Sequence, residues 1–186
     1  MNLNIEKAKL GKSKSVEAQY TDGEGNAITY SGCNPCHPDL MAALENLVPY
    51  FADITEQKEA DDIDFTDPGS DSNRDLLKSL SVTGARLVSD DCTNSVMLIG
   101  KRLLRNAKVL NINSPLVELG AESDYEYAAE LDVAVKQFLF EVEQYVSYKK
   151  YSAVQTELNF APDGDDPFAN PGITTNVAPI AEGPAA

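Results

Sequence analysis

The cysteines and the single histidine are the residues whose types and spacing could do chemistry. Cys33-Asn34-Pro35-Cys36-His37 places two thiols three positions apart, and Cys92 lies far along the chain. Thiolates at this spacing can chelate one zinc ion, so Cys33, Cys36 and Cys92 are weak candidate metal ligands. The adjacent Cys36 and His37 would reach one ion awkwardly. A proline-containing turn that starts a helix is the preferred interpretation, and no cofactor is expected.

The rest of the sequence gives no catalytic signature. His37 is the only histidine, so triad chemistry would depend on it alone. Gly23-x-Gly25 lacks the further glycines and the following helix of a phosphate-binding loop. Asp61-Asp62-x-Asp64 lacks the spacing and the closing glutamate of an EF-hand. We therefore expect a protein that is not an enzyme.

Charge is divided unevenly along the chain. The net charge is −15, with 30 acids against 15 bases. Acids concentrate in segment 53–75 and in segment 155–186, and the second segment contains no base. An acidic protein can still present a basic face when its bases cluster. They do so in two stretches: Lys7, Lys9, Lys12 and Lys14, and Lys101, Arg102, Arg105 and Lys108.

Two short stretches near the C-terminus resemble known binding peptides. Gln155-Thr156-Glu157-Leu158-Asn159-Phe160 resembles the Q-x-x-L-x-F hexapeptide by which bacterial replication and repair proteins dock on the DNA polymerase sliding clamp. The resemblance implies that Gln155 hydrogen-bonds at the rim of a pocket that Leu158 and Phe160 enter. The alternative is a final strand or arm that packs Leu158 and Phe160 on the domain.

The second stretch, Asp163-Gly164-Asp165-Asp166-Pro167-Phe168, resembles the acidic tip of bacterial single-stranded-DNA-binding proteins, which ends in D-D-D-I-P-F. The resemblance implies recruitment of partner proteins through Asp165, Asp166 and Phe168. In this chain 18 residues follow Phe168, so the terminal carboxylate of that tip is missing.

The segregated charge and the two motifs favour a DNA-replication accessory protein of a phage or mobile element, which binds single-stranded DNA through a basic face. Tyr20 and Tyr30 are candidate stacking residues, and the candidate phosphate contacts are Lys7, Lys9, Lys101, Arg102 and Arg105. Alternatively, the tyrosines belong to the core and the bases to a solvated surface. An acidic inhibitor of a host or defence protein and a structural homo-oligomer are the other functions left open.

These residues must be positioned by an α+β domain over residues 1–150. Alternation of apolar and polar residues predicts strands near 2–10, 15–21 and 27–31, and three more strands are expected near 76–88, 95–104 and 108–112. The run Val96-Met97-Leu98-Ile99 does not alternate, which is typical of a central strand covered on both faces. Helical spacing predicts a helix over 38–53, kinked or ended by Pro49, and a long amphipathic helix over 123–148. Ser123 and Glu126 could form a capping box at its start.

The predicted order is three strands, a helix, three strands and a helix. It fits a mainly antiparallel sheet or an OB-like barrel, and it equally fits a duplicated strand-strand-strand-helix unit. We expect segment 53–75 to be an exposed, mobile loop and segment 151–186 to be a flexible, proline-rich tail. No long apolar run and no signal peptide are evident, so a cytoplasmic protein with reduced cysteines is expected.

Overall fold

The computed structural model describes residues 3–89, 94–120 and 123–152. They form an α+β fold, as predicted. In chain order the elements are β1 (Asn4–Leu10), β2 (Val16–Thr21), β3 (Ala27–Ser31), α1 (Pro38–Glu45), α2 (Val48–Ile54), a 3-10 turn (Ala60–Asp62), α3 (Asp71–Leu76), β4 (Leu80–Ser89), β5 (Asn94–Leu103), β6 (Val109–Asn113), β7 (Val117–Leu119) and α4 (Ala128–Tyr148).

The strands form one antiparallel sheet with the order β3-β2-β1-β4-β5-β6, and β7 pairs with β5 beyond the end of β6. Two three-stranded meanders therefore lie side by side and meet where β1 pairs with β4. This arrangement leaves β3 and β6 at opposite edges of an open sheet. The OB-like barrel is accordingly not confirmed, because closure would require the two edges to pair.

The two central strands carry a bulge at equivalent positions. Ala8 of β1 lies opposite Ala85 of β4. The pairing of β1 with β2 shifts at Glu6, and the pairing of β4 with β5 shifts at Thr83, in each case two residues before the alanine. A bulge adds one residue to a strand and increases its local twist. The two meanders thus have the same irregularity at their junction.

Helices cover one face of the sheet. The buried side chains of α4 recur at helical spacing, and they pack with buried residues of the strands and of α1. The predicted long amphipathic helix is confirmed in this sense. Its start was wrong: α4 begins at Ala128 after the N-cap residue Tyr127. The Ser123 hydroxyl instead accepts a hydrogen bond from the Tyr125 N–H (3.1 Å) in a separate turn, so Ser123 and Glu126 do not form a capping box.

The helix predicted over 38–53 is two helices. His37 caps α1, with its Nδ1 accepting from the Asp39 N–H at 3.3 Å. The break lies at Asn46 and Leu47. Pro49 stands in the first turn of α2, where a residue without an N–H loses no helical hydrogen bond. Pro49 therefore helps to start the second helix.

Segment 53–75 is not one loop, because it contains the end of α2, the 3-10 turn and α3. Asn73, only 2% exposed, holds it together. The Asn73 side chain accepts from the Asp64 N–H (3.1 Å) and donates to the carbonyls of Asp64 (2.8 Å) and Asp67 (3.1 Å). The strand predicted from residue 76 begins only at Leu80, since α3 occupies the chain up to Leu76. The mobility of the segment stays a prediction.

The chain divides into two units, Met1–Val154 and Gln155–Ala186. Every described residue belongs to the first. Within the described ranges, none of the helices combines the length and the apolar character that crossing a membrane requires.

Candidate nucleic-acid interface

The sheet face opposite the helices carries basic side chains from three strands. In β1, Ile5 and Ala8 are buried toward the helices; the bulge at Glu6 and the alternation of side chains place Lys7 and Lys9 on the other face. We call this face the open face. Its basic residues are Lys7 and Lys9 of β1, Arg86 of β4 and Lys101 of β5.

The positions of Arg86 and Lys101 follow from their neighbours. Ala85 is completely buried, so the next side chain, Arg86, points away from the core. A side chain at Gly100 would meet the Phe51 ring of α2, which puts Gly100 on the helix side and Lys101 on the open face. Four bases that are separated in sequence thus share one surface.

Lys7 and Arg86 lie directly opposite each other on paired strands. Like charges in this position repel each other and destabilise the sheet. Within the described residues neither side chain has an ion-pair partner, and the same is true of Lys101. A bound anion would relieve this repulsion.

Lys9 is different, because its Nζ lies 2.9 Å from a carboxylate oxygen of Glu17 on β2. Both side chains are more than 40% exposed, and exposed pairs of this kind contribute little to stability. Glu6 is also on this side and accepts a hydrogen bond from the Thr21 hydroxyl at 3.0 Å. The two glutamates border the basic surface toward β2.

The two tyrosines predicted to stack on bases lie on the helix side. Tyr20 packs against the core between Ile5 and Ile28 on the neighbouring strands. The Tyr30 ring meets the Tyr145 ring edge-on, with centroids 6.1 Å apart. Among the described strands, no aromatic side chain lies on the open face. The structure therefore does not bring the tyrosines together with Lys7 and Lys9.

Tyr30 belongs instead to an aromatic cluster at the end of α4. Its hydroxyl lies 3.3 Å from the Tyr151 hydroxyl, and the Lys149 ammonium lies 5.4 Å from its ring centre. Burial, and next the contact with Tyr151, raise the pKa of Tyr30 well above its usual value. This is the core role that the alternative interpretation assigned to it.

Arg102 also faces the helices. Its guanidinium donates two hydrogen bonds to the Glu59 carboxylate (2.6 and 3.0 Å) and one to the Gln57 side chain (2.6 Å). The hydrogen bond from Arg102 lowers the pKa of Glu59 below its usual value. Arg102 thus ties the acidic segment to the sheet and does not join the open face. Arg105 lies in the exposed turn between β5 and β6.

The cysteine motif leads directly into α1, as the preferred interpretation expected, but it is a bend at Asn34 followed by an isolated bridge between Cys36 and Tyr151. The Cys36 N–H donates to the Lys14 carbonyl (2.9 Å), and the Ser152 N–H donates to the Pro35 carbonyl (3.0 Å). The Tyr145 hydroxyl donates to the Asn34 carbonyl. Burial raises the pKa of the Cys36 thiol.

Cys33 is exposed and Cys36 is buried. The described ranges contain no group of three or more His, Cys, Asp or Glu side chains placed to hold a metal ion. Cys92 lies outside those ranges, so the three-cysteine site stays a prediction. The predicted partner-binding residues are also outside them: Gln155, Leu158, Phe160, Asp165, Asp166 and Phe168.

Arg86 is the member of the open face that the sequence did not reveal. The other three bases belong to clusters of bases along the chain, whereas Arg86 has no basic neighbour in sequence. The usable signal was its alternation with Ala85 and Leu87 in a strand. Its pairing with Lys7 depends on contacts between distant strands, which the local pattern does not contain.

A separate cavity of about 310 Å³ lies between the first two helices, α3 and the start of β4. Its walls include Met41, Leu44 and Leu77, and the exposed charged residues that line its rim are Glu45, Arg74 and Lys78. The mixed charges at the rim do not select a class of ligand.

Comparison with protein-family models, with curated proteins and with solved structures finds no match for this chain.

Proposed function

We propose that the protein is a non-enzymatic DNA-replication or recombination accessory protein that binds single-stranded DNA across its open face. The observation that carries this proposal is the pairing of Lys7 with Arg86 across the two central strands. Lys101 extends the same basic surface onto β5, where it lies opposite Ser81 and Asn111. A phosphate backbone crossing the strands would replace the repulsion among these side chains with attraction.

The affinity should depend strongly on salt and little on sequence. Each phosphate contact releases counterions from the strand, so three or four contacts predict a slope of log K against log salt of about −2 to −3. Base stacking on aromatic rings requires aromatic side chains at the surface. The described strands place none on the open face; they place Met97 and Ile99 there, both partly exposed.

A titration of fluorescein-labelled oligo-dT, followed by anisotropy, tests this proposal. We expect Arg86→Glu to weaken binding by about tenfold or more at low salt. The matched control is Lys136→Glu on α4. It changes the net charge by the same amount as Arg86→Glu, but the exposed Lys136 side chain belongs to the helix layer. No saturable binding at about 50 mM salt, where such contacts are strong, or an equal loss in the two variants, would refute DNA binding by the open face.

We also propose that segment 155–160 docks on a bacterial sliding clamp. The support is the Q-x-x-L-x-F pattern of Gln155, Leu158 and Phe160. In such peptides a few buried apolar anchors provide most of the binding energy. Capture of purified clamp should therefore be lost when Leu158 and Phe160 are both replaced by alanine, and it should persist in Asn159→Ala. Equal capture by both variants would rule out docking by this motif.

A second candidate function, inhibition of a nucleic-acid-binding host protein, is favoured by the arrangement of segment 53–75. Asn73 and Arg102 fix this segment, and it presents the exposed acids Glu56, Asp61, Asp62, Asp64, Asp67, Asp71 and Asp75. An ordered acidic surface can occupy a site built for phosphates. Such an inhibitor would displace oligo-dT from a bacterial single-stranded-DNA-binding protein without binding the oligonucleotide itself. Failure to displace it would eliminate this alternative for that target.

A further inference from the structure

The edge of the sheet at β6 is unusually apolar for a surface. Large apolar side chains that are 37–54% exposed lie on both faces of the sheet at this edge. Four of the five residues of β6 are exposed: Val109, Leu110, Asn111 and Asn113. The exposed apolar set is Leu103, Leu104, Val109, Leu110 and Leu116. Exposed apolar patches of this kind mark interaction sites.

The strand β6 also lacks the charged residues that usually keep an edge strand unpaired. Edge strands that stay unpaired usually carry charges or prolines that prevent association with another strand. Such residues occur beyond β6, where Pro115 precedes β7 and Glu118 lies in β7. From Val109 to Asn113 the sequence contains neither a charge nor a proline. The β6 part of the edge therefore has the composition of a strand that pairs.

The hydrogen-bond pattern shows which backbone groups of β6 are directed outward. The Leu104 N–H donates to the Lys108 carbonyl (2.8 Å), and the Ser114 N–H donates to the Leu98 carbonyl (2.9 Å). Antiparallel pairing alternates between bonded and non-bonded residues. Residues 108, 110, 112 and 114 consequently bond to β5, and residues 109, 111 and 113 direct their N–H and C=O groups away from the sheet.

We propose that β6 pairs with β6 of a second copy of this chain, antiparallel, about a two-fold axis at Asn111. In this register Asn111 lies opposite Asn111 of the second copy, and Val109 lies opposite Asn113. All outward-directed groups of the strand then find partners at once. On the helix side Leu110 meets Ile112 of the second copy, so the apolar residues cover each other. Shifting the register by two residues leaves some of these groups unpaired.

A second copy fits better than an unrelated strand because the edge is self-complementary. A two-fold interface requires that the same surface match itself. The register centred on Asn111 does so for the outward backbone groups and, on the helix side, for Leu110 and Ile112. The nearby bases Lys101, Arg105 and Lys108 occur in both copies. Their mutual repulsion should make the dimer more stable as salt rises, because salt screens exposed charges.

The pairing would join two sheets into one and make the two open faces continuous. Lys101 lies opposite Asn111 across β5 and β6, so Lys101 of each copy would be separated by three strand spacings, roughly 14 Å. This extends the proposed DNA-binding surface, but the dimer does not depend on it: the self-association measurement contains no DNA, so either proposal can fail alone.

Sedimentation equilibrium of the full chain tests the dimer. We expect self-association at about 100 μM protein, as suits an interface at the small end of the specific range. Asn111→Pro removes an outward N–H without removing a bond to β5, a change that edge strands tolerate, and should leave a monomer. The matched control is Thr29→Pro at an outward position of β3, the opposite edge strand, which should still dimerise.

Oxidative cross-linking tests the register. Directly paired residues have Cα atoms about 5.5 Å apart, within the range of about 4.4–6.8 Å that a disulfide spans. Asn111→Cys should therefore cross-link two copies. Asn113→Cys should not, because the two positions 113 lie about 13 Å apart along the strands. A wild-type protein that stays monomeric, equal effects of the two proline variants, or equal cross-linking at 111 and 113 would each overturn the proposal.

Discussion

Asn73 should contribute more to stability than its small polar side chain suggests. Asn73→Ala removes one hydrogen bond accepted from the Asp64 N–H, two donated to the carbonyls of Asp64 and Asp67, and a longer one (3.5 Å) donated to the Pro68 carbonyl. Net contributions of about 0.5–1.5 kcal/mol each predict a total loss of roughly 2–3 kcal/mol. The side chain is 2% exposed, so water cannot replace these bonds unless the segment opens.

Urea unfolding at pH 7 measures the change in the free energy of unfolding, and amide hydrogen exchange locates it. The Asp64 N–H should lose its protection in Asn73→Ala, because its acceptor is the deleted side chain. Asn73→Asp keeps an acceptor for that N–H but turns a carboxylate toward two carbonyl oxygens, so it should be at least as unstable. Asn106→Ala is the matched control, since Asn106 accepts only one bond, from the Lys108 N–H in an exposed turn.

A contrary result would be a change in the unfolding free energy of less than about 0.5 kcal/mol in Asn73→Ala, the range typical of surface substitutions, while the Asp64 N–H kept its protection. That result would mean that packing of α3, and not the asparagine, holds the segment. A loss of protection at Asp64 with little global change would show that the segment opens separately from the rest of the domain.

Three further substitutions test the Arg102–Glu59 ion pair, the close approach of β4 to β1 at Gly84, and the Lys150–Glu141 ion pair. Glu59→Gln should lower the free energy of unfolding by about 1–2 kcal/mol at pH 7. Because Arg102 lowers the pKa of Glu59, this extra stability of the wild type is complete above about pH 5 and disappears as the pH falls through the lowered pKa. Urea titrations at several pH values measure it. Gly84→Ala should cost about 3 kcal/mol or more in thermal unfolding, since its Cβ would overlap a backbone carbonyl of β1. Lys150→Met leaves the Glu141 carboxylate, 5% exposed, without its cation, and should cost about 1–3 kcal/mol in urea.

Elements of this fold were predicted correctly where the interactions that form them lie within one stretch of the sequence. The turn between β2 and β3 has such a local cause: the Asp22 carboxylate accepts from the N–H groups of Glu24 and Asn26, and Gly25 has a positive φ. The helical spacing of the buried residues in α4 was also predicted correctly. The first residue of α4 was not, because the Ser123 hydroxyl accepts a hydrogen bond from the Tyr125 N–H in a separate turn.

The candidate site was harder to predict because it combines residues from distant strands. Lys7 and Lys101 were found as members of basic stretches, but the same criterion selected Arg102, whose neighbour across the layers is Glu59. It missed Arg86, which is isolated in sequence. A strand alternates its side chains between two faces, so neighbours in a basic stretch are divided between the faces. Which face a base occupies depends on the bulges, and no composition rule locates these.

The strand order also determines how the chain must fold. Each meander pairs strands that are neighbours in sequence, so its contacts are local, whereas β1 and β4 are separated in sequence by all the elements from β2 to α3. Contacts that close long loops are the slow ones. The junction at Ala8 and Ala85 should therefore form in the rate-limiting step, and substitutions there should slow folding, while changes in the hairpin turns should mainly alter unfolding. The residues that place Lys7 beside Arg86 would then be the same ones that commit the chain to its fold.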